Sequence, residues 1–264
     1  MNLIGIIQGR LSKAPKNKLQ HFPKNYKDEF ALAKKANLKY IEFFSERKLN
    51  LANPIWTKQG IEEYKKLVKK NDLIINTFCD DFIISNSIKK KNTIDYIISL
   101  SKNLYDLKCK KLVLPFYGKN TLSKKNILIM SRYIEQILKI LKKKNIKLLI
   151  ETNLSAVDYF KLKKCLKLKN FKLAFDTGNR VLYNKELAQD IILLGNDIGH
   201  VHIKDKNILK TNVKLGTGLV NFKEVFKAFK FIKYKQSFTF ETVRNKNPFL
   251  TAKNNVRFIK KLLK

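Results

Sequence analysis

The sequence predicts a single (β/α)8 TIM barrel, an α/β fold spanning residues 1–264, and three observations support this. The chain has 264 residues, and a barrel of this type takes about 250. Short apolar runs alternate eight times with longer amphipathic stretches, the pattern of parallel strands joined by right-handed helical crossovers. No GxGxxG or GxxxxGK[ST] loop follows any of the runs, which removes the commonest reason to expect an open doubly wound sheet. At 44% hydrophobic and 11% aromatic residues the chain is too apolar to be disordered.

The eight expected strands are Leu3–Gln8, Leu38–Phe43, Leu73–Phe78, Lys111–Pro115, Ile146–Glu151, Lys172–Asp176, Ile198–Lys204 and Ser237–Glu241. Each is short and mostly rich in Ile, Leu, Val or Phe, as suits strands buried on both faces. The helices expected between them are Asp28–Ala36, Ile61–Lys70, Thr93–Leu107, Ile127–Lys143, Val157–Leu166, Lys185–Leu194 and Phe222–Phe231. Ala252–Leu263 closes the chain. In the fourth of these, Ile127, Met130, Ile134, Ile137, Leu138 and Leu141 follow the 3.6-residue period, with lysines opposite.

The formal charge of +35 first suggests nucleic acid, a membrane surface or an anionic substrate. Of the 56 basic residues, however, only Arg10, Arg47, Arg132, Arg180, Arg244 and Arg257 are arginine, the residue suited to bidentate recognition of bases and phosphates. The lysines run along the whole chain, and an AT-rich coding sequence is the plain explanation for so much Lys, Asn and Ile. Nucleic acid is therefore not expected as a partner. Cys79, Cys109 and Cys165 are odd in number and form no CxxC, which argues against a disulfide framework or a cysteine zinc site. No apolar run reaches the ~20 residues of a membrane span, and the N-terminus lacks the basic region of a signal peptide. A cytoplasmic location without membrane attachment is the expectation.

Active sites of such barrels lie at the C-terminal ends of the strands. Four consecutive strands close on Glu151, Asp176, His202 and Glu241. Three carboxylates at the rim of an apolar core must be paired, hydrated or metal-bound, because burying unpaired charge is costly. Lys204 is the one obvious cationic partner along these strands. Three carboxylates and an imidazole make a hard donor set that suits Mn²⁺ best, with Mg²⁺ or Co²⁺ also fitting. The competing explanation is that the acids cap helices or bind backbone amides. His200 points to the same side as His202 but deeper, as a core or supporting residue. Glu42, near the end of strand two, lies close to the site with no defined role.

These residues sit in motifs that resemble bacterial sugar phosphate isomerases/epimerases of the xylose isomerase-like TIM-barrel superfamily. The likeness runs from Gly5-Ile6-Ile7-Gln8-Gly9-Arg10-Leu11 through His21-Phe22-Pro23, Ile41-Glu42, Asn53-Pro54 and Cys79-Asp80-Asp81-Phe82. It continues in Ile150-Glu151-Thr152, Phe175-Asp176-Thr177-Gly178-Asn179, His200-Val201-His202-Ile203-Lys204-Asp205, Gly216-Thr217-Gly218 and Phe240-Glu241. The resemblance implies that Glu151, Asp176, His202 and Glu241 bind one divalent metal and that Glu151 and Glu241 act as an acid–base pair. Many such epimerases carry a His shortly after the strand-six Asp, where this chain has Asn179, which cannot titrate.

Residue chemistry then gives an expected mechanism. A metal-polarised ketone stabilises an enediolate while two carboxylates exchange a carbon-bound proton, giving epimerisation or isomerisation of a sugar or sugar phosphate. Dehydration remains open. The expected substrate contacts are Gln8, Arg10, Asn179, Lys204, Asp205 and Arg244. A contact through His21 and phosphate held by the amides of Gly216-Thr217-Gly218 are further candidates, each weighed against a plain loop or turn role. Trp56 and Phe116 are candidate pocket walls. An apurinic endonuclease-like DNA repair enzyme is the rival reading, although its multi-zinc site needs more than the 3 His present. A non-catalytic sugar-binding barrel is the other. Barrels often pair through their outer helices, so a homodimer is also an expectation.

Overall fold

The computed structural model describes residues 2–15 and 19–263. Eight parallel strands close a barrel: β1 (Leu3–Ile7), β2 (Tyr40–Ser45), β3 (Phe78–Asp80), β4 (Lys111–Pro115), β5 (Lys147–Glu151), β6 (Phe171–Asp176), β7 (Ile198–Ile203) and, last in the chain, β10 (Ser237–Phe240). Each strand pairs with its neighbours in chain order, and β10 closes the ring onto β1. Between β7 and β10 a two-stranded antiparallel hairpin, β8 (Asp205–Lys206) and β9 (Asn212–Val213), rises from the barrel top. The sequence pattern did not show this hairpin.

The crossover helices are α1 (Asp28–Lys35), α2 (Lys58–Lys70), α4 (Lys91–Asp106), α5 (Ile127–Lys142), α6 (Ala156–Cys165), α8 (Leu187–Leu194), α9 (Phe222–Phe231) and α10 (Pro248–Leu263). Single turns form α3 (Phe82–Ser85) and α7 (Thr177–Arg180). Side-chain caps set several starts. Thr57, Ser155 and Asn221 accept from the amides of Gly60, Asp158 and Glu224, satisfying donors that a helix N-terminus leaves open. The Thr57 cap places the start of α2 three residues before the expected Ile61. The last helix also begins earlier than expected, at Pro248, where a missing N–H costs nothing. Most of the core lies between the sheet and these helices, while Ile7, Phe44, Cys79, Val113, Leu149 and Ala174 form a separate cluster.

Strand three differs from expectation. Residues 73–77 run beside β2, with Ile74 donating to the Lys39 carbonyl and Phe43 to that of Thr77, but the regular ladder begins only at Phe78. The apolar run marks the approach to the strand and reaches only Phe78 of its paired part. At the other end, β7 stops at Ile203, so Lys204 stands just beyond the strand.

A register shift positions the functional side chains of β7. Leu173 pairs with Ile198 and Ala174 with His200, so Gly199 is an extra residue on β7. A Cβ on Gly199 would lie 2.7 Å from the Lys172 Cβ and 2.9 Å from a Leu149 methyl, so this residue faces the same interior as His200. The bulge therefore turns His200, His202 and Lys204 inward alongside Ala174 and Asp176. Gly5 meets a different demand, since the ring of buried Tyr40 lies where its Cβ would be, with ring atoms 2.4 Å away. Tyr40 is pinned there because its hydroxyl donates to the Phe238 carbonyl at 3.0 Å. Gly5→Ala should therefore destabilise the protein by about 1–3 kcal/mol through overpacking, measured by urea unfolding. A wild-type midpoint would show that Tyr40 yields freely.

Candidate functional site

The inward positions at the C-terminal ends of β5, β6, β7 and β10 converge. The β6–β7 register sets Asp176 beside His202, and the β7–β10 register sets His202 beside Thr239, two residues before Glu241. His202 Nδ1 lies 3.4 Å from Glu151 Oε2 and 3.3 Å from Glu241 Oε2. Lys204 Nζ stands 2.8 Å from Asp176 Oδ2 and 2.9 Å from Glu241 Oε1. All five side chains are buried.

Each carboxylate is held differently. Glu151 Oε1 accepts from Asn179 Nδ2 at 3.0 Å, and Glu241 Oε1 accepts from Gln20 Nε2 at 2.7 Å. Asp176 Oδ1 caps α7 by accepting from the Asn179 amide at 2.7 Å. Helix capping, the competing explanation, thus accounts for one oxygen of Asp176. Its other oxygen and His202 Nδ1 are buried without an aligned hydrogen bond. Atoms of Glu151, Asp176 and His202 able to ligate a metal lie within 4.8 Å of one another. His202 Nδ1, Asp176 Oδ2 (whose near partner is the Lys204 ammonium) and the adjoining Glu151 and Glu241 oxygens make a set that fits a hard divalent cation, whose ligands are oxygen and imidazole nitrogen.

Burial makes charge at this point expensive, and the neighbours decide how it is shared. Burial raises the Asp176 carboxyl to about 6, opposed by Lys204 and reinforced by Glu241 and Glu151. For Glu241, burial is outweighed by Lys204, His202 and Arg10, which hold it well below the usual carboxylate range. Burial also disfavours a charged His202, but Glu42, Glu151 and Glu241 raise it well above its ordinary value. Asp81 is raised to about 8 by burial and then by repulsion from Glu241 and Glu151.

A cavity of about 870 Å³ opens above these residues, lined by Glu151, Asn179, Lys204 and Glu241 among others. Asp176 and His202 lie against these lining residues. The β2–α2 loop, from Glu46 to Asn50, contributes Arg47, Lys48 and Leu49, while Gln20, Asp81, Tyr117, Tyr183 and Lys206 add further wall. The sequence pattern assigns no role to Gln20 or Tyr117. Gln20 stands in a loop far from any strand end, although it directly precedes the quoted His21-Phe22-Pro23 motif. Asp81 was quoted within a motif but given no role.

Of the six expected substrate contacts, Asn179 and Lys204 line the cavity and the other four do not. Gln8 is buried against the Tyr64 hydroxyl at 3.4 Å. Arg10 is buried, donating to the Leu19 carbonyl and to Gln20 Oε1, and lies 3.8 Å from Glu241, so it supports the site from behind. Arg244 donates to the Gly9 carbonyl at 2.7 Å and lies 3.2 Å from His21 Nδ1, which ties His21 into the same loop packing. Asp205 is buried and accepts from the amides of Lys206, Gly216, Gly218 and Val220. Two amides of Gly216-Thr217-Gly218 are thereby engaged, so this segment is a turn held by Asp205 and offers no phosphate cradle. Phe116 is fully buried in the core, and Trp56 packs on Tyr96 at 5.1 Å, so neither forms the cavity wall.

The chain belongs to the xylose isomerase-like TIM-barrel family, whose family model matches residues 30–262. No curated protein sequence matches it. Among solved structures it is similar to an L-ribulose 3-epimerase at 17% identity and TM-score 0.79, covering 100% of this chain and 95% of that one. It is also similar to a D-allulose 3-epimerase from Methylomonas sp., at 18% identity and TM-score 0.75 over 99% and 98% of the two chains. A 3-keto-D-glucoside 4-epimerase from E. coli gives 19% identity and TM-score 0.74 over 98% of each. At these identities the likeness establishes the fold. Among the described residues no helix is long and apolar enough to cross a membrane.

Asp80, next to the cavity residue Asp81, gives a pH test of the upper barrel. Burial raises its carboxyl to about 7, although one oxygen accepts from the Tyr96 hydroxyl at 2.9 Å. The unfolded chain releases this proton near pH 3.9, so the contribution of Asp80 to stability is complete below about pH 4 and is lost as pH rises to about 7. Asp80→Asn stays neutral throughout and should gain roughly 1–3 kcal/mol relative to wild type between pH 4 and pH 8, by urea unfolding at both. An unchanged difference between the variants would show that burial does not hold this proton.

Proposed function

We propose that this protein is a divalent-metal-dependent isomerase that epimerises or isomerises a sugar or sugar phosphate. One observation carries the reading: Glu151, Asp176, His202 and Glu241 converge at the C-terminal mouth of the barrel beneath a cavity roomy enough for a sugar or sugar phosphate. The similar structures are sugar epimerases, which supports the same substrate class here. Glu151, Asp176, His202 Nδ1 and Glu241 would hold the cation, Mn²⁺ first, with Mg²⁺ or Co²⁺ also suiting the oxygen-rich set. When bound, it supplies positive charge to a ketose carbonyl oxygen as the neighbouring carbon loses a proton.

The chain's own groups provide the rest. Glu151 and Glu241 come from strands three places apart in the ring, so they approach a bound sugar from different sides. One, ionised, takes the carbon-bound proton, and the other, protonated, gives its own solvent-exchangeable proton to the opposite face or to the adjacent carbon. Gln20 and Asn179 hold the two glutamates by neutral amide hydrogen bonds. Lys204 balances the negative charge of Asp176 and Glu241 and faces the cavity, where it can bind a substrate oxygen. Asn179 serves as an orienting hydrogen-bond donor without titrating.

The rival DNA-repair chemistry receives no support from the imidazoles. His200 lies against Ser237 and Glu42, and His21 against Arg244, so among the described residues His202 is the imidazole that faces Glu151 and Glu241. Purified protein with Mn²⁺ and a panel of ketoses and ketose phosphates in D₂O should incorporate solvent deuterium beside the carbonyl, and a chelator should stop the exchange. Glu151→Gln and Glu241→Gln should each reduce exchange at least about 1,000-fold with unchanged circular dichroism, in line with loss of acid–base catalysis. Wild-type exchange in both variants on an accepted sugar would overturn the two-glutamate mechanism.

A further inference from the structure

Below the candidate site the barrel buries another carboxylate, Glu42, fully enclosed between two imidazoles. Its Oε1 lies 2.7 Å from His202 Nε2 and its Oε2 lies 2.7 Å from His200 Nε2. Thr77 Oγ1 donates to Oε2 at 2.5 Å, and Thr239 Oγ1 stands 3.4 Å away. The frame around it is built as well: His200 Nδ1 meets Ser237 Oγ at 2.7 Å, and the Tyr40 hydroxyl meets Thr239 Oγ1 at 2.6 Å. Cys79 offers a sulfur near Glu42 and His202, but both Glu42 oxygens already face donors, so this cluster needs no cation of its own.

The two nitrogens of His202 therefore have opposite surroundings. An ionised carboxylate can only accept, so the 2.7 Å contact requires the proton on Nε2. In the neutral ring that a bound cation requires, Nδ1 is then the nitrogen that offers a lone pair, and it is the one lying between Glu151 and Glu241 without an aligned hydrogen bond. We propose that Glu42 is a positioning residue: it holds the Nε2 proton of His202, fixes the ring, and presents Nδ1 to the cation of the candidate site. This rests on the metal-dependent reading above. A carboxylate behind a ligating imidazole both selects the tautomer and raises the basicity of the ligand, and removing it commonly costs about 10–100-fold in metal affinity.

Glu42→Gln tests this with little change of volume. The glutamine amide must donate from one end, so it cannot accept from both imidazoles as the carboxylate does. Calorimetric titration should show Mn²⁺ affinity falling about 10–100-fold at unchanged stoichiometry, with circular dichroism preserved. A second readout, in its wild-type arm, requires neither a folded variant nor bound metal. Long-range ¹H–¹⁵N spectra of the wild-type imidazoles should show a slowly exchanging, downfield proton on His202 Nε2, and Glu42→Gln should shift it upfield or abolish it. An unprotonated Nε2 in the wild type overturns the proposal. So does a Glu42→Gln variant with Mn²⁺ affinity within about twofold of wild type and an unmoved Nε2 proton. A wild type that shows this proton yet binds no Mn²⁺ overturns the metal reading of the site and leaves the hold of Glu42 on His202 standing.

Discussion

The upper barrel depends on keeping three buried carboxylates close together. Two unit charges about 4 Å apart interact by roughly 4 kcal/mol at an effective dielectric of 20, so Glu151, Asp176 and Glu241 would push the strand ends apart without compensation. Lys204 bridges two of them, and His202 faces the other pair of contacts. The amides of Gln20 and Asn179 take up remaining lone pairs. The Gly199 bulge turns both His202 and Lys204 toward this cluster. A divalent cation on the neutral imidazole would add the charge that one lysine leaves short.

The barrel interior is divided to match. On the β3–β6 side the inward residues of the middle layer are apolar, among them Cys79, Val113, Leu149 and Ala174. Inward residues of β2, β7 and β10 form a polar chain from Tyr40 through Thr239 to Glu42, which meets both His200 and His202. A buried network of this kind stabilises only when every member is satisfied. Here the chain ends at His202 Nδ1, the atom at which polar structure passes into the candidate site.

The lysine excess takes little part in this arrangement. Lysines such as Lys66, Lys69, Lys142 and Lys143 are exposed on or beside the outer helices, where the charge of one helix face adds little to folding. The cavity takes Lys204 and Lys206 from the segment after β7, and Arg47 and Lys48 from the loop after β2. Recognition chemistry thus resides in a few cations selected by topology. The overall charge of +35 does not identify them.

Periodicity along the chain determines the architecture, because strands buried on both faces and helices with one apolar stripe leave distinct signatures through the eight repeats. The strand-end rule also made Glu151, Asp176, His202 and Glu241 legible, since a residue's distance along its own strand sets its height in the barrel. Residues whose roles depend on a partner distant in the chain were not legible. Gln20 reaches Glu241 across 221 positions, and Glu42 reaches His202 across 160. Asp205 resembled a substrate contact until the hairpin and the turn at Gly216 folded their amides onto it. The sequence by itself determined which chemical groups stand at each level of the barrel. Tertiary structure alone decided which nitrogen, oxygen or amide each group faces, because this depends on strand register, one inserted glycine and the return of the loops.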